Sequence, residues 1–302
     1  MTDTSLDHLI CPQCHAHLSH GAAEMTCQGC DRRWPVINGI SVFSTQSPNG
    51  QQSAQSQPAT APDPRMADWK YFVPLRHSNV ALVLGSGTGA VPLTLAAACA
   101  QVYVVDSVWN DLLALGQIKE KQGLQNLHLA YVEGQPLPFS TGAFDLVTFD
   151  QFSQDQNGSP FTETAREVLG LLKPGGTAQF TLGNKWVRQG LLPQRGAVGH
   201  GMLSLSGYEQ ALRTEGFQSP QVFIPLPNHR IPLYFLPVTS PEATRHLFRA
   251  LLPLIDTISP EIKAANRLRY LLVRFAAPFA KRLPTNWALK LLAPSYIAIA
   301  RR

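Results

Sequence analysis

Val80-Ala81-Leu82-Val83-Leu84-Gly85-Ser86-Gly87-Thr88-Gly89 is an aliphatic run that passes directly into alternating glycines. Four of its first five residues are large aliphatics and two of these are β-branched, which favours a strand buried on both faces of a parallel sheet. The small-residue segment 90–100 follows with a helical pattern. Strand, glycine turn and helix together predict the opening unit of a nucleotide-binding α/β sheet, because glycines let the backbone turn tightly and approach a ligand.

The next predicted strand ends in a carboxylate. Residues 102–105 are Val-Tyr-Val-Val and lead into Asp106, 17 residues after Gly89. An acidic side chain at the end of the second strand of such a unit can accept hydrogen bonds from both ribose hydroxyls of an adenosine. The alternative for Asp106 is a cap on the helix that follows.

Length and composition predict one domain of about 200 residues with appendages. Of the 302 residues, 44% are hydrophobic and only 15% are charged, so a sizeable core can form and much of the surface must be neutral and polar. The net charge is +5, but residues 241–302 hold 11 Lys and Arg against 3 Asp and Glu, a local charge of +8. This basic end favours an acidic partner, either an anionic membrane surface or a phosphorylated substrate.

The N-terminal residues show no basic segment followed by an apolar one, so we expect no signal peptide. No apolar run approaches the roughly 18 residues that a membrane-spanning helix needs. The expected location is the cytoplasm, with reduced cysteines and with peripheral contact to the inner face of the membrane as a further expectation.

Four of the five cysteines form two C-x2-C pairs, Cys11 with Cys14 and Cys27 with Cys30, separated by twelve residues. In a cytoplasmic chain this spacing predicts tetrahedral zinc rather than disulfides. About 40 residues rarely fold alone without such a metal. The alternative is a ribbon that has lost its metal. Since four thiolates complete the ligand set, the three neighbouring histidines are interpreted as surface residues: His15, His17 and His20.

The segment after the second pair carries a further pattern, Trp34-Pro35-Val36-Ile37-Asn38-Gly39-Ile40-Ser41. Residues 9–43 resemble the zinc ribbon of small tRNA-methyltransferase activator proteins, although Ser41 replaces the final Pro of their P-V-x-x-G-I-P tail. The resemblance implies a structural or docking module and no functional residue beyond the four cysteines. We therefore place a zinc ribbon at residues 1–43. Residues 44–65 are rich in Gln, Ser, Pro and Ala and predict a flexible linker.

Strand and helix patterns alternate through the centre of the chain. Helices are predicted over 111–122 and 160–172, and strands over 127–132, 143–149 and 177–182. Alternation of this kind predicts a parallel sheet with helices on both faces.

Five segments then occur in a characteristic order: Gly85-x-Gly87-x-Gly89, Asp106, Glu133-x-x-x-Leu137-Pro138-Phe139, Phe144-Asp145-Leu146-Val147 and Leu172-Lys173-Pro174-Gly175-Gly176. In this order and spacing the chain resembles class I S-adenosylmethionine (SAM)-dependent methyltransferases of the type 11 kind. The resemblance covers about residues 80–182. It implies a Rossmann-like, seven-stranded, mostly parallel α/β sheet. An NAD enzyme is the structural rival, but it would have G-x-G-x-x-G in place of G-x-G-x-G.

The resemblance also implies roles for individual residues. The turn Gly85–Gly89, with Ser86, would pass under the methionine part of SAM, and Asp106 would hold the ribose. Adenine would lie along Ser107, with Glu133 and Gly134 close to its amino group. Asp150 and Gln151, after the fourth strand, would face the methyl group. The alternatives are a solvated loop charge for Glu133 and a turn cap for Asp150.

One position departs from the family pattern, because Val83 stands where an acid usually lies two residues before the first glycine. The departure weakens the expectation of SAM binding and leaves room for a non-catalytic copy. Methyl transfer needs mainly alignment of a nucleophile with the S–CH3 bond, and a base where a proton must leave. Four residues are candidate bases, of which Asp150 and His200 are chosen as catalytic; the others are His229 and Tyr208.

The C-terminal third continues the pattern with a predicted helix over 206–217 and strands over 221–226 and 294–300. Pro227-Asn228-His229-Arg230-Ile231-Pro232-Leu233-Tyr234 resembles a stretch of methyltransferases found with polysaccharide and glycan assembly genes. Between the last two strands, basic helices with aliphatic stripes form a predicted insertion at about 241–293. These helices can bind anionic lipid or a phosphate-bearing substrate, or they are a cap with a solvated basic face.

Together these features predict a methyltransferase domain over 66–302 with SAM and Zn²⁺ as cofactors. The expected acceptor is a small polar, glycan or lipid-linked molecule. An rRNA or tRNA methyltransferase is the first alternative, although no Arg-aromatic stretch suited to stacking bases is present. The second alternative is a non-catalytic scaffold that binds partners through the ribbon.

Overall fold

A computed structural model describes residues 8–21, 23–45, 48, 62–133, 136–154, 160–187, 202–226, 228–247, 290–291 and 293–302. Most of the predicted linker and most of the predicted C-terminal insertion lie outside these residues.

Twelve strands form one sheet. They are β1 (Leu18–His20), β2 (Glu24–Cys27), β3 (Arg33–Ile37), β4 (Ile40–Phe43), β5 (Val80–Leu84), β6 (Gln101–Asp106), β7 (Leu127–Val132), β8 (Phe144–Asp150), β9 (Leu172–Gly183), β10 (Gln218–Leu226), β11 (Tyr234–Pro237) and β12 (Ser295–Arg301). The helices are a 3-10 helix at Pro64–Phe72, then α1 (Ala90–Ala96), α2 (Trp109–Gln122), α3 (Gln151–Gln154), α4 (Phe161–Leu171), α5 (Leu205–Glu215) and α6 (Pro241–His246).

The strand order across the sheet is β1-β2-β3-β4-β7-β6-β5-β8-β9-β12-β10-β11. Strands β7, β6, β5, β8 and β9 are parallel, and β12 is antiparallel to both of its neighbours. Seven strands from β7 to β10 thus form the predicted Rossmann-like core, and the fold class is confirmed. The order reverses beside β5, so the carboxyl ends of β5 and β8 border a crevice of the kind that holds ligands in such sheets.

The central strand β5 is buried on both faces, as its sequence predicts. Leu82 and Leu84 pack into the hydrophobic cluster on one face of the sheet, and Ala81 and Val83 pack into the cluster on the other. Alternate side chains of a strand point to opposite faces, so a run without polar residues is explained by helices on both sides.

The sheet is wider than predicted because the N-terminal hairpin joins it. β3 and β4 form an antiparallel pair, and β4 then pairs in parallel with β7, with Phe43 opposite Val132. This pairing connects residues about 90 positions apart, and no local sequence pattern predicts it. Edge strand β11, which pairs with β10, is a second strand that the sequence did not predict.

Strand β9 begins earlier than predicted. Lys173-Pro174-Gly175-Gly176 lies inside it, with a register shift against β8 between Phe144 and Leu146. Lys173 Nζ lies 2.8 Å from Asp145 Oδ2, which also accepts a hydrogen bond of 2.8 Å from Val80 N–H. These contacts join the amino ends of three adjacent core strands, so this motif and Asp145 have a structural role.

Among the residues that the structure describes, no helix has the length and apolarity needed to cross a bilayer. The 3-10 helix at Pro64–Phe72 packs against α1 and buries Trp69.

Candidate functional site

The glycine turn after β5 has the backbone that its sequence predicts. Gly85, Gly87 and Gly89 all have positive φ, at 94°, 52° and 83°. Residues with a Cβ rarely adopt this conformation, so the sequence requirement is steric. Gly89 is also the N-cap of α1, and Gly85 N–H donates to Val105 O at 2.8 Å, which fixes the turn beside the end of β6.

Asp106 lies at the end of β6 with its carboxylate against the glycine turn. Its Oδ2 accepts hydrogen bonds from Ser86 N–H at 2.6 Å and from Ser86 Oγ at 2.5 Å, and its Oδ1 accepts one from Val108 N–H at 2.9 Å. The residue is only 1% exposed. The carboxylate therefore organises both the glycine turn and the turn that leads into α2, but it does not cap this helix, whose N-cap Val108 has no side-chain cap bond.

An open cleft lies beside the glycine turn at the carboxyl ends of β5, β8 and β9. Backbone and side chains of Gly85, Ser86 and Gly87 form one side of it. Polar groups from other elements form the rest, namely Thr148 and Asp150 of β8, Gln179 and Thr181 of β9, and His229. Asp150 Oδ1 also accepts a hydrogen bond from Phe152 N–H at 3.0 Å, the turn cap considered above.

Polar residues within aliphatic strands were the signal that sequence analysis missed. Gln179 and Thr181 interrupt the apolar β9 and are buried, and Gln179 Nε2 donates to Thr181 Oγ1 at 3.0 Å. A buried polar side chain needs such a partner, and these two meet at the wall of the cleft. His229 lies in the same wall: its ring stacks on Phe152 at 4.1 Å, and its Nδ1 lies 3.3 Å from Ser295 Oγ.

The predicted adenine side lies next to Asp106. Tyr131 of β7 stands opposite Asp106 in the sheet, and its hydroxyl donates to Glu133 Oε2 at 2.6 Å. Burial and this bond to a carboxylate raise the pKa of Tyr131 well above its ordinary value. Ser107 follows Asp106 directly, whereas Gly134 lies outside the described residues.

The remaining predicted residues have other surroundings. Gln151 is buried, and its Oε1 accepts hydrogen bonds from Gly183 N–H at 3.0 Å and from the Tyr208 hydroxyl at 2.8 Å. Tyr208 is completely buried and also lies 2.9 Å from Gly183 O. Both side chains thus connect α3, β9 and α5 within the core. His200 lies outside the described residues.

The four cysteines of the ribbon converge. Their sulfur atoms all lie within 4.8 Å of one another, with 3.8 Å between Cys11 and Cys30 and 3.3 Å between Cys14 and Cys27. Tetrahedral zinc with Zn–S bonds of about 2.3 Å holds its sulfurs about 3.8 Å apart. The chemistry and spacing of the donors therefore fit Zn²⁺. The three neighbouring histidines are exposed, as expected for surface residues.

The local backbone favours thiolate at one of these positions. Burial alone would raise the pKa of Cys27, but the Gly29 N–H at 3.3 Å from its sulfur and the neighbouring thiols lower that pKa to about 6. Zinc binds thiolate rather than thiol. A Cβ at Gly29 would lie 2.7 Å from Ala16 Cβ, so this turn requires glycine.

The fold and the site define a Rossmann-like nucleotide-binding domain with a glycine turn at the carboxyl edge of its sheet and a four-cysteine cluster attached. Residues 81–176 match the family model described as "Methyltransferase domain". Over these residues, about a third of the chain, it is similar to class I SAM-dependent methyltransferase domains, and SAM is the cofactor that this family implies. The glycine turn, on which SAM would bind, lines the cleft, and the Asp106 carboxylate is buried against Ser86 of that lining.

No curated protein matches the chain. Solved structures with a similar fold include phosphoethanolamine N-methyltransferase 2 from Haemonchus contortus, with 18% identity, a TM-score of 0.49, and coverage of 79% of this chain and 52% of that one. Others are the [4+2]-cyclase SpnF, with 19% identity, a TM-score of 0.47 and coverage of 79% and 80%, and a putative sarcosine dimethylglycine methyltransferase from Galdieria sulphuraria, with 14% identity, a TM-score of 0.45 and coverage of 78% and 83%. The chain spans about half of the length of the Haemonchus proteins.

Proposed function

We propose that this protein transfers the methyl group of SAM to a small polar, glycan or lipid-linked acceptor. The proposal rests on one observation: the glycine turn lines the same cleft as Asp150, Gln179, Thr181 and His229. A sulfonium donor bound on the turn would direct its methyl group towards polar side chains that can orient an acceptor. The matched family and the names of the Haemonchus and Galdieria proteins, which concern small amines, agree with this acceptor class.

In the proposed reaction the acceptor heteroatom attacks the methyl carbon, the S–CH3 bond breaks, and S-adenosylhomocysteine and a proton are released. SAM supplies the activated leaving group, so the protein contributes alignment and removal of the proton. We assign the alignment to the β8 and β9 side chains and the contact with the methyl region to Asp150. Asp106 would bind the ribose, with the diol replacing the Ser86 hydroxyl, and Glu133 would lie near the adenine amino group.

The test is a search for the product. The full-length protein is incubated with methyl-labelled SAM and separately with small-molecule, lipid and RNA fractions of cells, and labelled products are identified by mass spectrometry. Label in the small-molecule or lipid fraction supports the proposal. Label in RNA would favour the RNA methyltransferase instead. No labelled product in any fraction, together with no SAM binding, would favour the non-catalytic scaffold.

An exposed apolar rim supports a lipid-linked acceptor at an anionic membrane. Three segments near the cleft expose large hydrophobic side chains, here named the rim: Tyr71, Phe72, Trp186, Ile231 and Leu233. The Lys70 ammonium lies 5.1 Å from the Tyr71 ring, and the Lys185 ammonium lies 5.1 Å from the Trp186 ring. Aromatic rings paired with cations suit the interface of an anionic bilayer.

Two of the segments that contain rim residues also contribute residues to the cleft. Met66 of the 3-10 helix and His229 both line the cleft, and the rim residues 71, 72, 231 and 233 lie a few positions further along the same segments. Phe72 also stacks on Phe223 at 4.6 Å and meets Phe235 edge-on at 5.3 Å, which joins the two segments.

Vesicle binding tests this part of the proposal without SAM. We expect the full-length protein to co-sediment with vesicles that contain anionic lipid, and the Tyr71→Ser/Leu233→Ser variant to bind at least about fivefold more weakly. Ile37→Ser is the control, because Ile37 is an exposed large hydrophobic residue on the ribbon hairpin and lies outside the rim. Equal binding by the rim variant and the control variant would remove the rim from the proposal while leaving the methyltransferase activity untouched.

A further inference from the structure

The zinc ribbon contacts both ends of one segment of the cofactor site. We name residues 133–139 the adenine loop, because its first residue, Glu133, is predicted to lie near the adenine amino group. Of these residues, 133 and 136–139 are described. At its first residue, Glu133 N–H donates to Phe43 O of β4 at 3.2 Å. Near its end, Ile10 N–H donates to Pro138 O at 2.9 Å, and Leu9 and Phe139 form an antiparallel bridge.

The two contacting ribbon segments lie on either side of the metal ligands in the chain. Leu9 and Ile10 directly precede Cys11, the first ligand, and β4 follows the Cys27–Cys30 pair through the β3–β4 hairpin. The position of each segment therefore depends on the two knuckles being held together by the metal.

The ribbon and the methyltransferase domain share one buried hydrophobic cluster. Leu9, Cys11, Cys27 and Phe43 belong to the same buried cluster as Phe139. The Phe139 ring in turn meets the rings of two core residues edge-on, Phe144 at 5.0 Å and Tyr103 at 5.7 Å. β7 contains Tyr131 and ends just before Glu133. It pairs with β6 on one edge and with β4 on the other, so both of its edges are hydrogen-bonded.

We infer that the zinc ribbon is a positioning element for SAM: it clamps the adenine loop at both ends and thereby sets the affinity for the cofactor. The inference rests on the proposed function, because it assigns the adenine side of SAM to Glu133. It gives the ribbon a role inside the enzyme in addition to any contact with a partner. Loss of the metal would then weaken the contacts of Glu133 with Phe43 and those of Pro138 and Phe139 with residues 9–10.

The experiment compares full-length protein loaded with zinc and the Cys14→Ser/Cys30→Ser variant. These two cysteines are exposed, whereas Cys11 and Cys27 are buried and remain in place to preserve the core. Hydrogen exchange of peptides that cover residues 131–140 is measured without SAM, and the dissociation constant for SAM is measured by calorimetry. We expect faster exchange in the adenine loop and cofactor binding that is about tenfold weaker or more.

Cys99→Ser is the matched control. Cys99 is the fifth cysteine, is buried, and packs in the cluster on the other face of the sheet, whereas Leu9, Phe43 and Phe139 belong to the first cluster. The same chemical change there should leave both exchange in the adenine loop and the dissociation constant at wild-type values. Exchange in β8 and β9 shows whether each variant is folded.

Leu9→Ala decides the question if the double cysteine variant does not fold. It keeps all four thiols and removes a buried side chain at the Phe139 contact, so we expect faster exchange in the adenine loop and a smaller loss of affinity with zinc still bound. A folded, zinc-free variant with wild-type exchange and wild-type SAM affinity would overturn the inference, as would Leu9→Ala with both at wild-type values. Failure of the wild-type protein to bind SAM would instead overturn the proposed function, while the exchange comparison would still test the clamp.

Discussion

Ser86 and Asp106 form the closest polar contact of the candidate site. The Asp106 carboxylate accepts three hydrogen bonds, two of them from Ser86, in a position that is almost fully buried. An ionised acceptor suits this environment, because only a carboxylate can accept from every donor that surrounds it. The same property would let it accept hydroxyls of a ribose.

Asp106→Asn tests this residue. An amide would place its NH2 group against either the Ser86 donors or the Val108 N–H, so we expect a loss of about 1–3 kcal/mol in the free energy of unfolding and SAM binding weakened by about tenfold or more. Urea unfolding measures the stability and calorimetry measures the affinity. A variant that is destabilised but binds SAM as the wild type does would show that Asp106 only stabilises the turn before α2 and does not bind the cofactor.

Tyr208 acts through Gln151 rather than at the cleft. Its hydroxyl bonds Gln151, the residue after Asp150, so it is a positioning residue for the mouth of β8. Tyr208→Phe should cost about 1 kcal/mol of stability and lower kcat several-fold, while the SAM dissociation constant stays unchanged. Steady-state kinetics with the acceptor from the product search measure this. A change in SAM affinity without a change in kcat would contradict the positioning role.

At the scale of elements, the amino ends of β5, β8 and β9 are joined by Asp145. Burial would raise the pKa of Asp145, but hydrogen bonds from Lys173 and Val80 N–H lower it below the ordinary value. The folded state therefore favours the carboxylate, and the resulting stability is complete above the unfolded pKa of about 3.9. It is lost as the pH falls through the lower pKa of the folded state.

Asp145→Asn should therefore destabilise the protein by about 1–2 kcal/mol near neutral pH. The difference from the wild type should shrink as the pH falls below about 4. Urea unfolding at several pH values measures it, with Arg166→Ala as a comparison, since the Arg166 side chain in the ion pair with Glu215 is 69% exposed. A difference that stays constant down to the lowest pH at which both proteins fold would contradict the assignment.

Those elements could be predicted whose formation depends on sequence patterns within a short segment. The strand, glycine turn and helix from 80 to 96 follow from side-chain size and glycine spacing, and the cysteine cluster follows from two short spacings. The pairing of β4 with β7 was not predictable, because it depends on which surface the ribbon meets. The polar cleft residues come from β8, from β9 and from the segment that contains His229, so their convergence is a property of the sheet.

At the scale of the whole molecule, the ribbon and the Rossmann-like core share a sheet and a buried cluster. Regions with a continuous core unfold together. We expect zinc release, followed with a chromogenic chelator, and the loss of far-UV circular dichroism to have the same urea midpoint. Zinc release at a clearly lower urea concentration, with the circular dichroism retained, would show that the ribbon unfolds separately.

Calorimetric titration of the wild-type protein with SAM tests the central claim most directly. The account predicts saturable binding of one SAM per chain in the micromolar range, about −8 kcal/mol, and weaker binding by Asp106→Asn. Absence of any binding heat and of any thermal shift, in protein that is folded and carries zinc, would contradict it.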